Sequence, residues 1–258
     1  MPLDEIAHNL VCITIDVEWA SLEVLTDMRR LLDERGLRAT FFCTHAGINV
    51  PGHERALHPN FRRNGDTLQR LRQQIGMDIN NWTDTAVYQH VIQTTHIFCP
   101  EAVGIRAHSL FYDSDLLPVY RQIGLEYDST YYLPMMPGLR PVWKEHGMLE
   151  IPIYYMDHLD LVEQATGFRV EGLCLDQPGT KVFDFHPNMV FINASTNEQY
   201  LDSKPHHHHP DHLLALRDQG RGVRTLFLEL LDFIVARRLP SMTLGALNTM
   251  WRTTKKQV

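Results

Sequence analysis

Two acidic side chains close the first apolar stretch of the chain. Leu10–Trp19 is rich in β-branched residues and carries Asp16 and Glu18 near its end, which predicts a buried strand followed by two carboxylates. Side chains two positions apart on extended backbone point to the same side, so both acids are expected to face one small volume. Two like charges held that close are costly unless a cation lies between them or one is protonated. The pair therefore indicates a functional site rather than two solvated acids.

Polar side chains also follow several later apolar runs, and histidine, of which the chain has 15, is prominent among them. The full set is Asp16, Glu18, His45, His58, Arg106, His108, Asp128 and His186. Acidic and histidine ligands that leave one coordination position open are typical of catalytic Zn²⁺ or a similar divalent ion. In such a site Asp16 has the chemistry of a general base, Arg106 that of a cation orienting it, and His186 that of a general acid.

The patterns around these residues alternate between strand and helix. A helix over Ala20–Arg35 and a strand over Ala39–Cys43 complete a βαβ unit, which implies a parallel sheet. Thr44–Asn64 is predicted to be mostly loop. The later predicted strands are Ala102–Arg106, Leu125–Asp128, Leu149–Tyr155, Lys181–Phe185 and Ser241–Leu244. Four later helices are predicted. The first contains Leu68, Leu71 and Ile75, and the second begins near Asp84. The third spans 116–123 and the fourth spans 223–236.

The alternation continues through the chain without a linker, repeat or break in composition. This predicts an α/β fold made of one domain over residues 1–258, in the form of a distorted (β/α) barrel with about seven parallel strands. In such barrels the polar residues just after the carboxyl ends of the strands form the active site. The residues named above would therefore meet at one end of the barrel.

Composition limits the possible partners. The chain of 258 residues is 44% hydrophobic and 21% charged, as in ordinary globular proteins. Its net charge of −7 gives no electrostatic reason to expect binding to nucleic acid or an anionic membrane. No apolar run reaches the roughly 18 residues of a membrane span, and Met1–Glu5 lacks the basic start of a secretion signal. We therefore expect a cytoplasmic protein without nucleic-acid partners or membrane insertion, and the sequence leaves its oligomeric state open.

Roughly from residue 8 to residue 195, the chain resembles the polysaccharide deacetylases of carbohydrate esterase family four, also called the nodulation-deacetylase homology domain. Thr14–Glu18 is similar to the family's first motif, a strand ending in an Asp pair, with one residue inserted between the acids. Ala39–Phe42 is similar to its second strand.

Three further motifs carry the resemblance, one of them incompletely. Gly52–Glu54 and His58 match the second motif, but its second histidine falls on Arg62. Arg106 matches the arginine of the third motif, where Ala107–His108 stands in for two prolines. The fifth motif, a strand ending in a general-acid histidine, is matched by Phe185–Pro187.

The resemblance implies a distorted seven-stranded α/β barrel that hydrolyses acetyl groups on sugars with a divalent metal, for which we expect Zn²⁺. It implies that Asp16 is the base, Arg106 its partner and His186 the general acid. Glu18 and His58 would be metal ligands. Asn60 or His108 could replace the missing ligand, and we predict His108, which gives the set Glu18, His58 and His108.

Divergent relatives of this kind are associated with bacterial surface polysaccharide and O-antigen biosynthesis. The implied substrate is an N-acetylated sugar that is nucleotide-linked, lipid-linked or part of an oligosaccharide. We predict that Trp19, Tyr112 and Tyr131 bind the sugar. The alternatives are a non-catalytic carbohydrate-binding or assembly protein on the same fold and a hydrolase of a non-sugar amide. His206–His209 is predicted to be an exposed loop that could form a lid or bind metal adventitiously.

Overall fold

A curled sheet of nine strands forms the centre of the protein, in the order β6-β7-β5-β4-β3-β2-β1-β9-β8. The structure, a computed structural model, describes residues 9–63, 65, 68–69 and 81–254. All neighbouring strands pair in parallel except the antiparallel pair β6 and β7. The strands are β1 Val11–Asp16, β2 Ala39–Cys43, β3 Glu54–Leu57, β4 Gly104–Ile105, β5 Tyr127–Asp128, β6 Val142–Trp143, β7 Leu149–Glu150, β8 Tyr155–Met156 and β9 Lys181–Phe185.

Helices cover both faces of this sheet. The described helices are α1 Leu22–Asp33, α2 Asp84–Phe98, α3 Leu116–Gln122, α4 Asp157–Glu163, α5 Pro187–Phe191, α6 Asn197–Ser203, α7 Pro210–Ala215, α8 Val223–Arg237 and α9 Leu244–Thr254. Local signals explain where they begin. The Ser21 hydroxyl accepts the backbone N–H of Val24 at the start of α1, and Pro187 occupies the first turn of α5, where its missing N–H costs nothing. None of the described helices is long and apolar enough to cross a membrane.

Alternation along the two central strands separates the core from the site. In β1, Val11, Ile13 and Ile15 pack on the convex side against a cluster that includes α1, α5 and α8. The other face carries Cys12, which lies in the apolar cluster that includes α9. On that same face Thr14 and Asp16 follow at the carboxyl end. The concave face is therefore apolar near the amino ends of the central strands and polar at their carboxyl ends.

The structure confirms the α/β class and the parallel sheet but corrects the number of strands. There are nine strands rather than about seven, and the sheet is a half-barrel whose edge strands, β6 and β8, do not pair among the described residues. The predicted strand Leu149–Tyr155 divides into β7 and β8 around Pro152, which cannot donate to a ladder. β3 lies in Thr44–Asn64, which is predicted to be mostly loop, and β6 lies where no strand is predicted.

Other predicted elements fare differently. Ala39–Cys43 and Lys181–Phe185 are confirmed as strands. The predicted strand Ser241–Leu244 is wrong beyond one isolated bridge from Ser241 to Val11, because Leu244 begins α9. Most of the predicted helix with Leu68, Leu71 and Ile75 lies outside the described residues. The single domain over residues 1–258 stays a prediction.

A glycine in β4 leaves room for an aromatic ring that spans the sheet. A Cβ at Gly104 would overlap the ring of Tyr127, whose hydroxyl donates to Glu54 Oε1 at 2.7 Å. We expect Gly104→Ala to lower the free energy of unfolding by about 1–3 kcal/mol, because the buried ring has to move. Urea denaturation measures the change. In a Tyr127→Leu background the same substitution should cost clearly less, and an equal cost in both backgrounds would contradict this account.

Candidate active site

A cavity of about 630 Å³ opens at the carboxyl ends of β1, β3 and β9. Its lining includes Asp16, Glu18, His58, His108 and His186. The structure therefore brings together the three predicted metal ligands and two of the three predicted catalytic residues. The third, Arg106, lies fully buried beneath them and contacts Asp16.

Glu18 reaches the cavity from a turn rather than from extended backbone. β1 ends at Asp16, and Glu18 adopts a φ of +47°, in the left-handed region that few non-glycine residues occupy. The Thr44 hydroxyl donates to the Glu18 carbonyl and stabilises this turn. The two acids do face one volume, but the predicted reason, extended backbone through both, is wrong. Strained backbone of this kind is common at functional sites.

Glu18, His58 and His108 form a group whose potential ligand atoms all lie within 4.8 Å of one another. Nδ1 of His58 donates to the Arg106 carbonyl at 2.9 Å, so the lone pair of Nε2 faces the cavity. Nδ1 of His108 lies 3.2 Å from Oε1 of Glu18. Among the described residues, neither His58 Nε2 nor His108 Nδ1 has a hydrogen-bond partner, although both atoms are buried. Two such nitrogens beside a carboxylate fit the donor set of a divalent metal.

A buried guanidinium occupies the space below this group. Nη1 of Arg106 donates to Oδ1 of Asp16 at 2.9 Å and to Oδ1 of Asp184 at 2.6 Å. Nε donates to the Ser129 carbonyl at 2.8 Å, and the guanidinium lies 4.2 Å from the centre of the Phe42 ring. Asp16, Asp184 and His186 also have ligand atoms close together. Because Arg106 already supplies a cation between the two aspartates, this second group is a poor metal site.

The cations around Asp16 keep its carboxyl ionised. Burial alone would raise the pKa of Asp16, but the charge that His58 carries when it is protonated, the guanidinium of Arg106 and, to a smaller extent, His186 hold it below the usual value. Glu18 behaves similarly. Burial opposes ionisation, but the neighbouring histidines lower the pKa of Glu18 to about 2. Both carboxylates are therefore charged at neutral pH.

His186 is held by a carboxylate on its far side. Nδ1 of His186 donates to Oδ1 of Asp157 at 2.6 Å, and the His186 backbone N–H donates to Oδ2 at 2.7 Å. Burial alone would lower the pKa of His186, but the charge and hydrogen bond of Asp157 raise it well above the ordinary value. Nε2 points toward the cavity, 3.8 Å from Oε1 of Glu18. His186 is thus a protonated imidazolium beside the metal-ligand group.

Burial has the opposite result at His58. Burial lowers the pKa of His58 to about 4, although Asp16 acts against it. The neutral imidazole that results at neutral pH is the form that binds a metal. The two histidines therefore differ in protonation state at neutral pH. His58, beside Asp16, is neutral, whereas His186, held by Asp157, stays charged.

The remaining predicted residues are placed unevenly. Trp19 lines the cavity and makes an edge contact with His108, with ring centres 5.4 Å apart. Tyr112 and Tyr131 do not line it and instead lie against the ammonium of Lys144. The Asn60 side chain accepts the backbone N–H of Arg62. Residues that stay outside the cavity lining are His45, Asn60 and Asp128.

Sequence reasoning missed Asp157 and Asp184. Asp184 stands in β9 between two buried phenylalanines, and alternation places it on the concave face with Asp16. An acid inside so apolar a strand needs a buried cation, which was a readable signal. Asp157 begins α4 directly after β8 and gave no comparable signal, because that strand has only two residues.

The segment with α6 and the histidine run forms the other wall of the cavity. Tyr200, Lys204, His207 and His208 line it together with His158 from α4. The expectation of a fully exposed loop is wrong for His207, which is 8% exposed and lies against the Tyr200 ring. His208 is exposed.

Comparison with known proteins identifies the family to which this fold and this group of acids and histidines belong. The model of a polysaccharide deacetylase family, described as WbmS-like, matches residues 13–204. The chain therefore belongs to the WbmS-like polysaccharide deacetylase family. A comparison with curated proteins gives no match.

Solved structures extend this comparison. WbmS of Bordetella bronchiseptica, a candidate polysaccharide deacetylase involved in O-antigen biosynthesis, is 25% identical with a TM-score of 0.73, covering 88% of this chain and 91% of its own. A candidate polysaccharide deacetylase from Mycobacterium smegmatis is 15% identical with a TM-score of 0.58, covering 97% and 93%. A mutant of a carbohydrate esterase family 4 pseudoenzyme from Bacillus anthracis is 12% identical with a TM-score of 0.50, covering 94% and 68%. The last two likenesses establish the fold alone, so activity has to be argued from the residues of the site.

Burial of His207 makes a pH dependence testable. Burial lowers the pKa of His207 to about 4, below the roughly 6.5 of an unfolded histidine. Between these values the unfolded chain binds more protons, so stability increases as pH rises from about 4 to about 6.5. In metal-free buffer, we expect the wild type to gain about 2 kcal/mol more than His207→Gln between pH 5 and 7.5.

Urea denaturation at the two pH values measures this difference. His208→Gln changes the exposed neighbour and is the matched control, so it should retain the wild-type dependence. Identical slopes for wild type and His207→Gln would contradict the buried position of His207.

Proposed function

We propose that this protein is a metal-dependent hydrolase that removes the acetyl group from an N-acetylated sugar during bacterial surface polysaccharide or O-antigen biosynthesis. The observation that carries the proposal is the pair of buried ring nitrogens on His58 and His108, which lie beside the Glu18 carboxylate without hydrogen-bond partners among the described residues. Membership of a polysaccharide deacetylase family supports the reaction class. The O-antigen role of the Bordetella relative supports the biosynthetic setting.

Glu18, His58 and His108 would hold the metal, for which Zn²⁺ fits one oxygen and two nitrogen ligands. When bound, such an ion supplies Lewis acidity toward a carbonyl oxygen and toward water. With three protein ligands, a bound ion would keep a coordination position for water or substrate. His108 thus takes the place of the second histidine that Arg62 cannot supply.

Asp16 is the proposed general base. Its ionised carboxylate lies at the rim of the ligand group, with Oδ2 at 3.6 Å from His58 Nε2, and can accept a proton from an attacking water. Arg106 binds the other oxygen, Oδ1, and fixes the direction of the free one. The water oxygen then adds to the acetyl carbonyl carbon.

His186 is the proposed general acid. It is protonated at neutral pH, and its Nε2 faces the cavity while Asp157 holds Nδ1. It can donate its proton to the amide nitrogen as the C–N bond breaks, which releases acetate and a free amine. The protonated imidazolium of His186 and the ionised carboxylate of Asp16 are the forms that an acid and a base need.

The cavity supports a sugar substrate. Its volume of about 630 Å³ lies within the usual range for small-molecule sites, and Trp19 and Tyr200 supply aromatic surface. The acetyl-bearing sugar would be nucleotide-linked, lipid-linked or part of an oligosaccharide. The cytoplasmic location expected from the sequence stays a prediction.

Metal content tests the ligand set directly. Protein with His206–His209 replaced by serine should bind about one equivalent of Zn²⁺, measured by plasma mass spectrometry after dialysis. His58→Ala and His108→Ala in that background should lose it, because each removes one of three ligands. His90→Ala, which changes a histidine outside the cavity lining, is the control and should retain it. A zinc content that stays at about one equivalent in both ligand variants would contradict the proposed metal site.

Turnover separates the base from the ligands. Asp16→Asn should keep the metal but lower kcat by about 10²–10⁴-fold, because the amide cannot accept the proton. Release of acetate from acetylated sugars measures the rate. Full activity in Asp16→Asn would show that another group is the base.

A further inference from the structure

A buried lysine lies outside the cavity and has no part in the proposed reaction. The Lys144 side chain is 7% exposed, and its Nζ donates to Oδ2 of Asp128 at 2.8 Å and to Oε2 of Glu150 at 2.9 Å. The rings of Tyr112 and Tyr131 cover the ammonium, with centres 4.8 Å and 4.3 Å from Nζ. Burying these charged groups is costly, so the other contacts of the two carboxylates indicate which part of the protein the cluster stabilises.

Glu150 leads from this lysine toward Arg106. Its second oxygen, Oε1, accepts the backbone N–H groups of Thr130 at 3.1 Å and Tyr131 at 2.9 Å. These bonds fix the segment that follows β5 and begins at Ser129. The Ser129 carbonyl accepts Arg106 Nε at 2.8 Å, and its hydroxyl accepts Nη2 at 3.0 Å. Two of the three guanidinium nitrogens of Arg106 are therefore held by the segment that Glu150 anchors.

Asp128 leads to the neighbouring backbone by a second route. Its other oxygen accepts the Thr130 hydroxyl. That hydroxyl oxygen in turn accepts the backbone N–H of Ala107 at 3.4 Å. Ala107 stands between Arg106 and His108, so both routes from the lysine end on the segment after β4 that carries these two site residues.

We propose that Lys144 is a positioning residue that, through Glu150 and Asp128, holds Arg106 in the orientation that directs Asp16. The inference rests on the proposed function for its catalytic consequence, but the orientation of Arg106 can be tested without turnover. Without the ammonium, two carboxylates would face each other in a buried space.

The test follows the Nε–H of Arg106, which donates to Ser129 and should exchange slowly with solvent. Its ¹⁵N–¹H resonance is assigned by its loss in Arg106→Lys. In Lys144→Met the exchange should become faster by about tenfold or more, because the segment that Glu150 anchors is loosened. Lys181→Met is the matched control, since it removes another buried lysine that bonds to Asn9 rather than to this cluster. The control should leave Arg106 exchange unchanged relative to protected amides in α8.

Conservative variants keep the test decisive. Lys144→Arg retains the cation and should restore slow exchange, which a purely steric role would not predict. If Lys144→Met does not fold, Lys144→Gln makes the same loss of charge with a milder change. Slow Arg106 exchange in the uncharged variant, or equally fast exchange in Lys181→Met, would overturn the proposal.

Kinetics then separate this inference from the proposed function. With an acetylated sugar that the wild type hydrolyses, Lys144→Met should lower kcat about tenfold or more with KM nearly unchanged, because only the base is misdirected. A wild type without deacetylase activity would contradict the proposed function, and the exchange experiment would still decide the positioning role. An active wild type whose kcat survives in a folded Lys144→Met variant would overturn the positioning role alone.

Discussion

The guanidinium of Arg106 is the interaction on which the site depends. It is fully buried, and its Nη1 binds two carboxylates, Asp16 and Asp184, that arrive on adjacent parallel strands. Either acid alone would be costly at that depth, and together they would repel each other without the cation. The carboxyl ends of the central strands can therefore carry these buried acids because Arg106, which follows β4, places its guanidinium between them.

The buried central strands and the acid at the end of β1 could be predicted from the sequence. A buried parallel strand shows apolar residues on both faces, so a carboxylate at its end indicates a partner or a ligand. That reasoning predicts Asp16, and the family resemblance implies Glu18 and His58 as ligands, to which His108 is added as the predicted replacement for the missing one. The proximity of these three side chains agrees with that grouping, and their role as ligands remains the proposal.

Other features depend on tertiary structure that local patterns do not encode. β4, β5, β7 and β8 have two residues each, so periodicity had too few positions to separate strands from loops. Glu18 reaches the cavity through a left-handed turn that Thr44 stabilises across the chain. Tyr112 and Tyr131 are predicted to bind the sugar, but both rings lie against the ammonium of the buried Lys144 and do not line the cavity. In each case a contact between distant segments outweighs the local preference.

The most direct measurement of the central claim is anomalous diffraction at the zinc absorption edge from crystals grown with Zn²⁺. The account predicts one strong peak bounded by Glu18, His58 and His108, with Asp16 and His186 nearby but not coordinating. A peak confined to His206–His209, or one between Asp16 and Asp184, would contradict the proposed metal site. The same maps would show whether Arg106 keeps both carboxylates when the metal is bound.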